Sequence, residues 1–173
     1  MTVVHLVFTC AGAVFALPID PVKEVVQMVA PCARLPRTPR YCLGAINYHG
    51  QMVPLIDLSA RLGLCAPHRF DELIDARIIL VKDEPGKSSG ERGGLLGYVV
   101  DSVSELSDRP FLPFSEEAER LGGLCVGTVL SQSGRNALVL NISPRTILPL
   151  LAGEKLRQAL LQLQEATQRE VEP

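Results

Sequence analysis

The chain repeats itself, and this limits its possible folds more than any other feature. Ile19-Asp20-Pro21-Val22-Lys23-Glu24-Val25 matches Val100-Asp101-Ser102-Val103-Ser104-Glu105-Leu106, both reading apolar, Asp, any, Val, any, Glu, apolar. Leu43-Gly44-Ala45-Ile46 then matches Val126-Gly127-Thr128-Val129, and Asp57-Leu58-Ser59-Ala60-Arg61 matches Asn141-Ile142-Ser143-Pro144-Arg145. The matches keep their order at an offset of 81 to 84 residues. Such self-similarity predicts two copies of one supersecondary unit. A unit of about 70 residues buries little surface alone, so the two copies are expected to share a core. A groove between them would be lined by equivalent positions, notably Val22 and Val103. An ordinary core role for both valines fits the same pattern.

The unit is β. Val3 to Phe8 and Ala13 to Leu17 flank Ala11-Gly12 and read as a hairpin. Leu43 to Tyr48 and Met52 to Leu58 flank His49-Gly50-Gln51. Arg77 to Lys82 and Leu95 to Val100 flank Asp83 to Gly94, a stretch rich in Gly, Ser and charge that predicts an exposed, mobile loop. Leu124 to Leu130 and Ala137 to Ile142 flank Ser133-Gly134-Arg135. Gly50 and Gly134 sit where tight turns call for positive φ, and Asp20 and Asp101 are placed to cap short turns. Short helical turns are expected at Ser59 to Leu62 and Pro144 to Leu150. Strands at this spacing predict a mainly β chain of small barrels or sandwiches. Glu154 to Arg169 contains no Gly or Pro, and Leu156, Ala159, Leu160, Leu163 and Ala166 share one helical face, so a C-terminal α-helix is expected there. It would dock on its own domain or on a partner.

Composition removes several function classes. Hydrophobic residues make up 47% of 173, enough for a buried core. The net charge is -2 and aromatics are 5%, with no basic stripe, which argues against nucleic-acid binding. No apolar run approaches the roughly 18 residues of a membrane span. Met1 to Leu17 is apolar but lacks a charged leader and alternates like a strand, so no signal peptide is read there. Cys10, Cys32, Cys42, Cys65 and Cys125 show no CxxC spacing, as expected for reduced, cytosolic thiols. His5, His49 and His68 show no metal-ligand spacing, so no metal or other cofactor is expected.

Catalysis needs convergent groups, and the sequence offers none in a recognisable pattern. Ser131 and Ser133 lie near Gly134 without a G-x-S-x-G elbow. Glu116, Glu117 and Glu119 read as a solvated face. Asp83-Glu84-Pro85-Gly86-Lys87-Ser88 ends in G-K-S but lacks the leading glycine of a phosphate loop. The expectation is a non-enzymatic chain.

Gly44-Ala45-Ile46-Asn47-Tyr48-His49-Gly50-Gln51-Met52-Val53-Pro54-Leu55-Ile56-Asp57-Leu58 resembles the central motif of CheW-like domains. Phe15-Ala16-Leu17-Pro18-Ile19 with Val22 to Val26, and Gly97-Tyr98-Val99-Val100-Asp101-Ser102-Val103, also resemble that family. The resemblance spans roughly residues 3 to 151. It implies two five-stranded barrels related by a pseudo-twofold with a common core, as a domain over 1–152 with lobes near 13–75 and 76–152 and a helix and tail over 153–173. It also implies a cytoplasmic adaptor at membrane-associated receptor arrays, with no direct membrane insertion. Its partners would be a chemoreceptor's cytoplasmic tip and the regulatory domain of a CheA-type histidine kinase. The receptor groove would include Leu6, Ile19, Val22 and Val103, and the hairpin Asn47, Tyr48, His49, Gly50 and Gln51 would lie near the kinase and receptor contacts. The family usually carries Arg where this chain has His49, a smaller side chain without the fixed charge and planar fork. Other readings are a docking module for a different signalling enzyme, a CheV-like adaptor lacking its receiver, and a small-molecule-binding barrel.

Overall fold

The computed structural model describes residues 3–31, 33–82, 94–114 and 125–140. The expected turn at Pro144 to Leu150, the helix from Glu154, the loop residues 83–93 and the 116–119 acidic cluster lie outside these residues. The expected hairpins form. They are β1 (His5–Cys10) with β2 (Ala13–Pro18), β4 (Cys42–Tyr48) with β5 (Gln51–Asp57), β6 (Arg77–Lys82) with β7 (Leu95–Val100), and β10 (Cys125–Leu130) with β11 (Asn136–Leu140). β3 (Val22–Gln27), β8 (Ser102–Ser107) and the short β9 (Phe111–Pro113) complete two sheets. A one-turn helix α1 (Leu58–Arg61) follows β5, and a 3-10 turn spans Phe70–Leu73.

The duplication is written in the strand order. One sheet runs β8-β1-β2-β11-β10-β9 and the other β3-β6-β7-β5-β4. Replacing each strand of the first by its equivalent in the repeat turns β8-β1-β2-β11-β10 into β3-β6-β7-β5-β4. Each copy's leading hairpin is inserted into the other copy's sheet, so sheet membership crosses the expected division at residue 75. The central contacts correspond too, since β11 pairs β2 in parallel and β5 pairs β7 in parallel.

This interleaving explains why β1, β2, β6 and β7 read as nearly continuous apolar runs. Alternation along a strand sends successive side chains to opposite faces. Leu6, Phe8, Phe15, Leu17, Ile79, Val81, Leu96, Tyr98 and Val100 meet in one cluster built from both sheets. The alternate positions Ile78, Leu80, Leu95 and Val99 fill the interior of the second sheet, and Val7, Ala16, Val129 and Val139 that of the first. Both faces of the exchanged hairpins are therefore buried. Each large side chain taken from water on these hairpins contributes about 1.5–3 kcal/mol.

The repeated motifs mark irregularities. In apolar-Asp-x-Val-x-Glu, the residue after Val is bulged in both copies. Val22 and Glu24 pair with the successive residues Val81 and Leu80, and Val103 and Glu105 with Phe8 and Val7. In the second motif, the shifts between Cys42 and Gly44 and between Cys125 and Gly127 fall at the repeated glycine. A further segment crosses close by each time. Ala33 bridges Ala45, and β9 pairs with β10. A Cβ on Gly44 would lie 2.5 Å from the Ala33 carbonyl oxygen, and one on Gly127 would lie 2.4 Å from that of Leu112. The sixth strand of the first sheet is thus the fuller counterpart of a single bridge in the second.

The repeated glutamates close the lobes. Glu24 accepts a hydrogen bond from the Tyr48 hydroxyl, joining edge strand β3 to the β4–β5 hairpin. Glu105 accepts from the Gln132 backbone N–H at 3.1 Å, joining edge strand β8 to the β10–β11 turn. The Ser107 hydroxyl adds a bond to the Leu130 carbonyl at 2.5 Å, and Gln132 Nε2 donates to Asp108 at 3.0 Å. Asp101, expected to cap its own turn, instead accepts from the Ala11 N–H at 2.8 Å and so fastens the β1–β2 turn. The reason is β1–β8 pairing, which brings residue 101 alongside that turn.

His5 stacks on Phe111 at 5.9 Å and is 2% exposed, and its Nδ1 is buried without a hydrogen-bond partner. Burial lowers its pKa from 6.5, against a smaller raising effect of a backbone hydrogen bond to Val3. The unfolded chain then binds the proton more readily, so this contribution to stability is complete above about pH 6.5 and is lost as pH falls through the lowered value. His5→Phe, which keeps the stack on Phe111, should flatten that dependence, read as urea midpoints between about pH 5 and pH 7.5. A slope unchanged by the substitution would assign it to other groups.

Candidate partner-binding site

Val22 is the first residue of edge strand β3 and Val103 the second of the equivalent edge strand β8, each immediately before the bulge. Both are half-buried and pack against the cluster shared by the two sheets, as does Ile19. Ile19 reaches it through a turn in which its carbonyl accepts from the Val22 N–H at 3.0 Å, while its own N–H donates to Val4 at 2.9 Å. Leu6 belongs to the same cluster but is 6% exposed, so it forms floor rather than rim. The structure thus brings the four residues together on one apolar cluster, three of them with surface to spare. A bulge bends its strand and re-aims the side chains beside it. It does so here at equivalent points of both copies.

The hairpin residues form a second, polar feature. Tyr48 pairs with Gln51 across a two-residue turn in which His49 and Gly50 have φ of 48° and 83°. Two positive φ values give the turn a twist matching that of the strands. Gly50 is suited to this, and His is among the few other residues enriched there, as Arg is not. Asn47 Oδ1 accepts from the Gly50 N–H at 2.8 Å and locks the turn. His49 is exposed, with its ring edge-on to Tyr48 at a centroid distance of 4.5 Å. The hydrogen bond to Glu24, with lesser contributions from burial and the Glu24 charge, raises the Tyr48 pKa and keeps the phenol a donor. Glu24 is the residue of this hairpin's support that sequence reasoning missed, although the repeat that contains it was visible.

A third group was also missed. Asp57, 1% exposed, accepts from the His68 backbone N–H and from His68 Nδ1, each at 2.9 Å, and from the Ala60 N–H at 3.4 Å as the cap of α1. Cys65 Sγ lies 3.9 Å and 4.0 Å from the two ring nitrogens. Thiol, imidazole and carboxylate in a row resemble a nucleophile, its base and an orienting acid. The electrostatics run the other way. Burial, and then the charges of Asp57, Asp101 and Glu72, raise the Cys65 pKa, whereas a nucleophilic cysteine needs it lowered. The arrangement is a structural clasp. Cys10 is more inert still, its thiol pushed up to about 12, chiefly by burial. Among the described residues, no group of three or more His, Cys, Asp or Glu side chains is arranged to hold a metal ion, and no helix is long and apolar enough to cross a membrane.

Two interleaved β units with an apolar cluster between them and polar hairpin tips outside define a duplicated β fold. The chain belongs to the CheW-like domain family, whose model matches residues 5–144. This is a family of chemotaxis adaptor and scaffold proteins. The chain is 29% identical over 133 residues to a chemotaxis protein CheW of Rhizobium meliloti, covering 75% of this chain and 78% of that one. It is 30% identical over 91 residues to chemotaxis protein CheW of Helicobacter pylori, covering 53% of this chain and 48% of that one. The scaffolding protein TtCheW from Thermoanaerobacter tengcongensis superposes with a TM-score of 0.68 at 24% identity, over 88% of this chain and 91% of that one. That likeness shows the fold.

Proposed function

We propose that this chain is a non-enzymatic adaptor that couples a chemoreceptor to a CheA-type histidine kinase at receptor arrays on the cytoplasmic side of the membrane. The receptor's cytoplasmic tip, a helical hairpin, lies against Ile19, Val22 and Val103 over the Leu6 floor. The β4–β5 hairpin, Asn47 to Gln51, lies near the kinase's regulatory domain. The observation that carries this reading is the pairing of Val22 and Val103, half-buried on the shared cluster beside equivalent bulges. Apolar side chains with a polar rim suit an amphipathic helix, the rim fixing orientation and the centre supplying most of the free energy. Individually weak contacts suffice, because an array multiplies them.

Val22→Asp and Val103→Asp should each weaken receptor binding by about tenfold or more, equal to about 1.4 kcal/mol. Val→Ser at the same positions gives a milder pair if the charged variants fold poorly. Reconstituted kinase stimulation with receptor present is the measurement, and normal coupling by well-folded variants of both residues would defeat the groove. His49→Arg supplies a fixed charge and a donor fork at the hairpin tip. It is expected to change affinity for the kinase or receptor, while Arg69→Ala, remote from the hairpin in sequence, leaves it unaltered. Identical pull-down by wild type and His49→Arg would remove His49 from the contact.

A further inference from the structure

Three arginines, Arg34, Arg37 and Arg40, stand exposed on the segment that precedes β4. The ion pairs His68–Asp57 and Arg69–Asp71 do not include them. The chain as a whole is acidic, with 19 Asp and Glu against 17 Lys and Arg. Unpaired guanidinium groups are thus concentrated on one loop of a protein whose average charge has the opposite sign.

The loop is held in place. Ala33 exchanges backbone hydrogen bonds with Ala45 at 2.9 Å and 3.4 Å, Leu35 is buried in the shared cluster, and Thr38 Oγ1 donates to the Leu35 carbonyl at 2.8 Å. The Cys42 N–H donates to Pro39 at 2.9 Å, and Pro31, Pro36 and Pro39 restrict φ along the way. The loop's own ordering entropy is therefore already met before any partner arrives, which favours binding. The bridge to Ala45 fastens the loop to β4, the strand that ends in the candidate contact hairpin.

We infer that Arg34, Arg37 and Arg40 form a docking strip for a carboxylate-rich face of the kinase's regulatory domain, the partner that meets the β4–β5 hairpin, a statement that rests on the adaptor reading above. Guanidinium groups pair bidentately with carboxylates and shed water more readily than ammonium groups do. An anionic membrane is the poorer match, because juxtamembrane recognition uses about 4–8 clustered basic residues and an acidic protein body is repelled from such a surface. The strip accelerates encounter and fixes register, and the apolar contacts supply the lifetime.

The test compares the full-length wild type with R34E/R37E/R40E, using Arg69→Ala as control and melting curves to confirm folding. Binding to the purified kinase regulatory domain and to a receptor-tip fragment is measured from low to high salt, alongside vesicles containing phosphatidylserine. Association of the triple variant with the kinase regulatory domain should slow about tenfold or more at low salt, and the difference should shrink as salt rises. Equal rates and equal salt dependence for wild type and the triple variant, or a slowing confined to the receptor-tip fragment, would overturn the inference. So would loss of vesicle binding alone, which would assign the strip to lipid. Wild type that binds neither protein partner would instead bring down the adaptor reading itself.

Discussion

Gly44→Ala should lose about 3 kcal/mol or more of unfolding free energy, while Gly134→Ala loses about 1–2 kcal/mol. Both glycines have positive φ, 129° and 81°, which an L side chain adopts at a cost. They differ in what a Cβ would meet. At Gly134 there is nothing within 4 Å, so the loss there is conformational strain alone. At Gly44 the Cβ would sit 2.5 Å from the Ala33 carbonyl oxygen and 3.0 Å from Pro31 Cβ. That oxygen accepts the bond from the Ala45 N–H, so relieving the clash breaks the bridge that ties residues 33–40 to the sheet. Two lost backbone bonds at about 0.5–1.5 kcal/mol each add to the strain. Urea unfolding of the two variants separates steric from conformational loss. Equal midpoints would mean the close approach at Gly44 carries no weight. If the bridge also holds the arginine loop, Gly44→Ala should reduce salt-dependent partner association even where the fold survives.

The sequence carried more of this fold than it carried of the site, for identifiable reasons. Repetition survives as spaced identities, so Val-x-Glu and the second-motif glycine announced two copies without any coordinates. What they do is geometric. The bulges beside Val22 and Val103, and the crossing segments at Gly44 and Gly127, depend on pairing between residues far apart in the chain. The exchange of leading hairpins between sheets was equally hidden, because the apolar runs of β1, β2, β6 and β7 look the same whichever sheet receives them. β9 was missed because a three-residue strand ending in proline has almost no periodicity. His49 shows the opposite case. Its departure from the usual Arg was plain in the sequence, but the positive φ that suits His at that turn appears only in the structure.

Asp57→Ala should lose about 3 kcal/mol and free the segment after α1 before it disturbs the sheets. The carboxylate is buried and holds three donors, the Ala60 N–H, the His68 N–H and His68 Nδ1. Removing a helix cap costs about 1 kcal/mol, and leaving partly buried donors without an acceptor costs about 1–3 kcal/mol more. His68→Ala removes one partner and leaves the cap, so it should lose less than half as much. Asp57→Asn keeps an acceptor for one donor but turns an amide toward another, and should fall between them. The combined Asp57→Ala/His68→Ala variant should lose less than the sum of its parts, because the two side chains act as one clasp. Hydrogen exchange distinguishes local from global loss. In Asp57→Ala, amides over 58–73 should exchange faster while those of β6 and β7 stay protected. Asp57 pairs with Val99 of β7 only through its backbone, which the substitution keeps, and the side chains that bury both faces of those strands do not include its carboxylate. Uniform acceleration across both sheets would mean that the clasp supports the shared core itself, and that the lobe joining β5 to β6 is not an independent unit of stability.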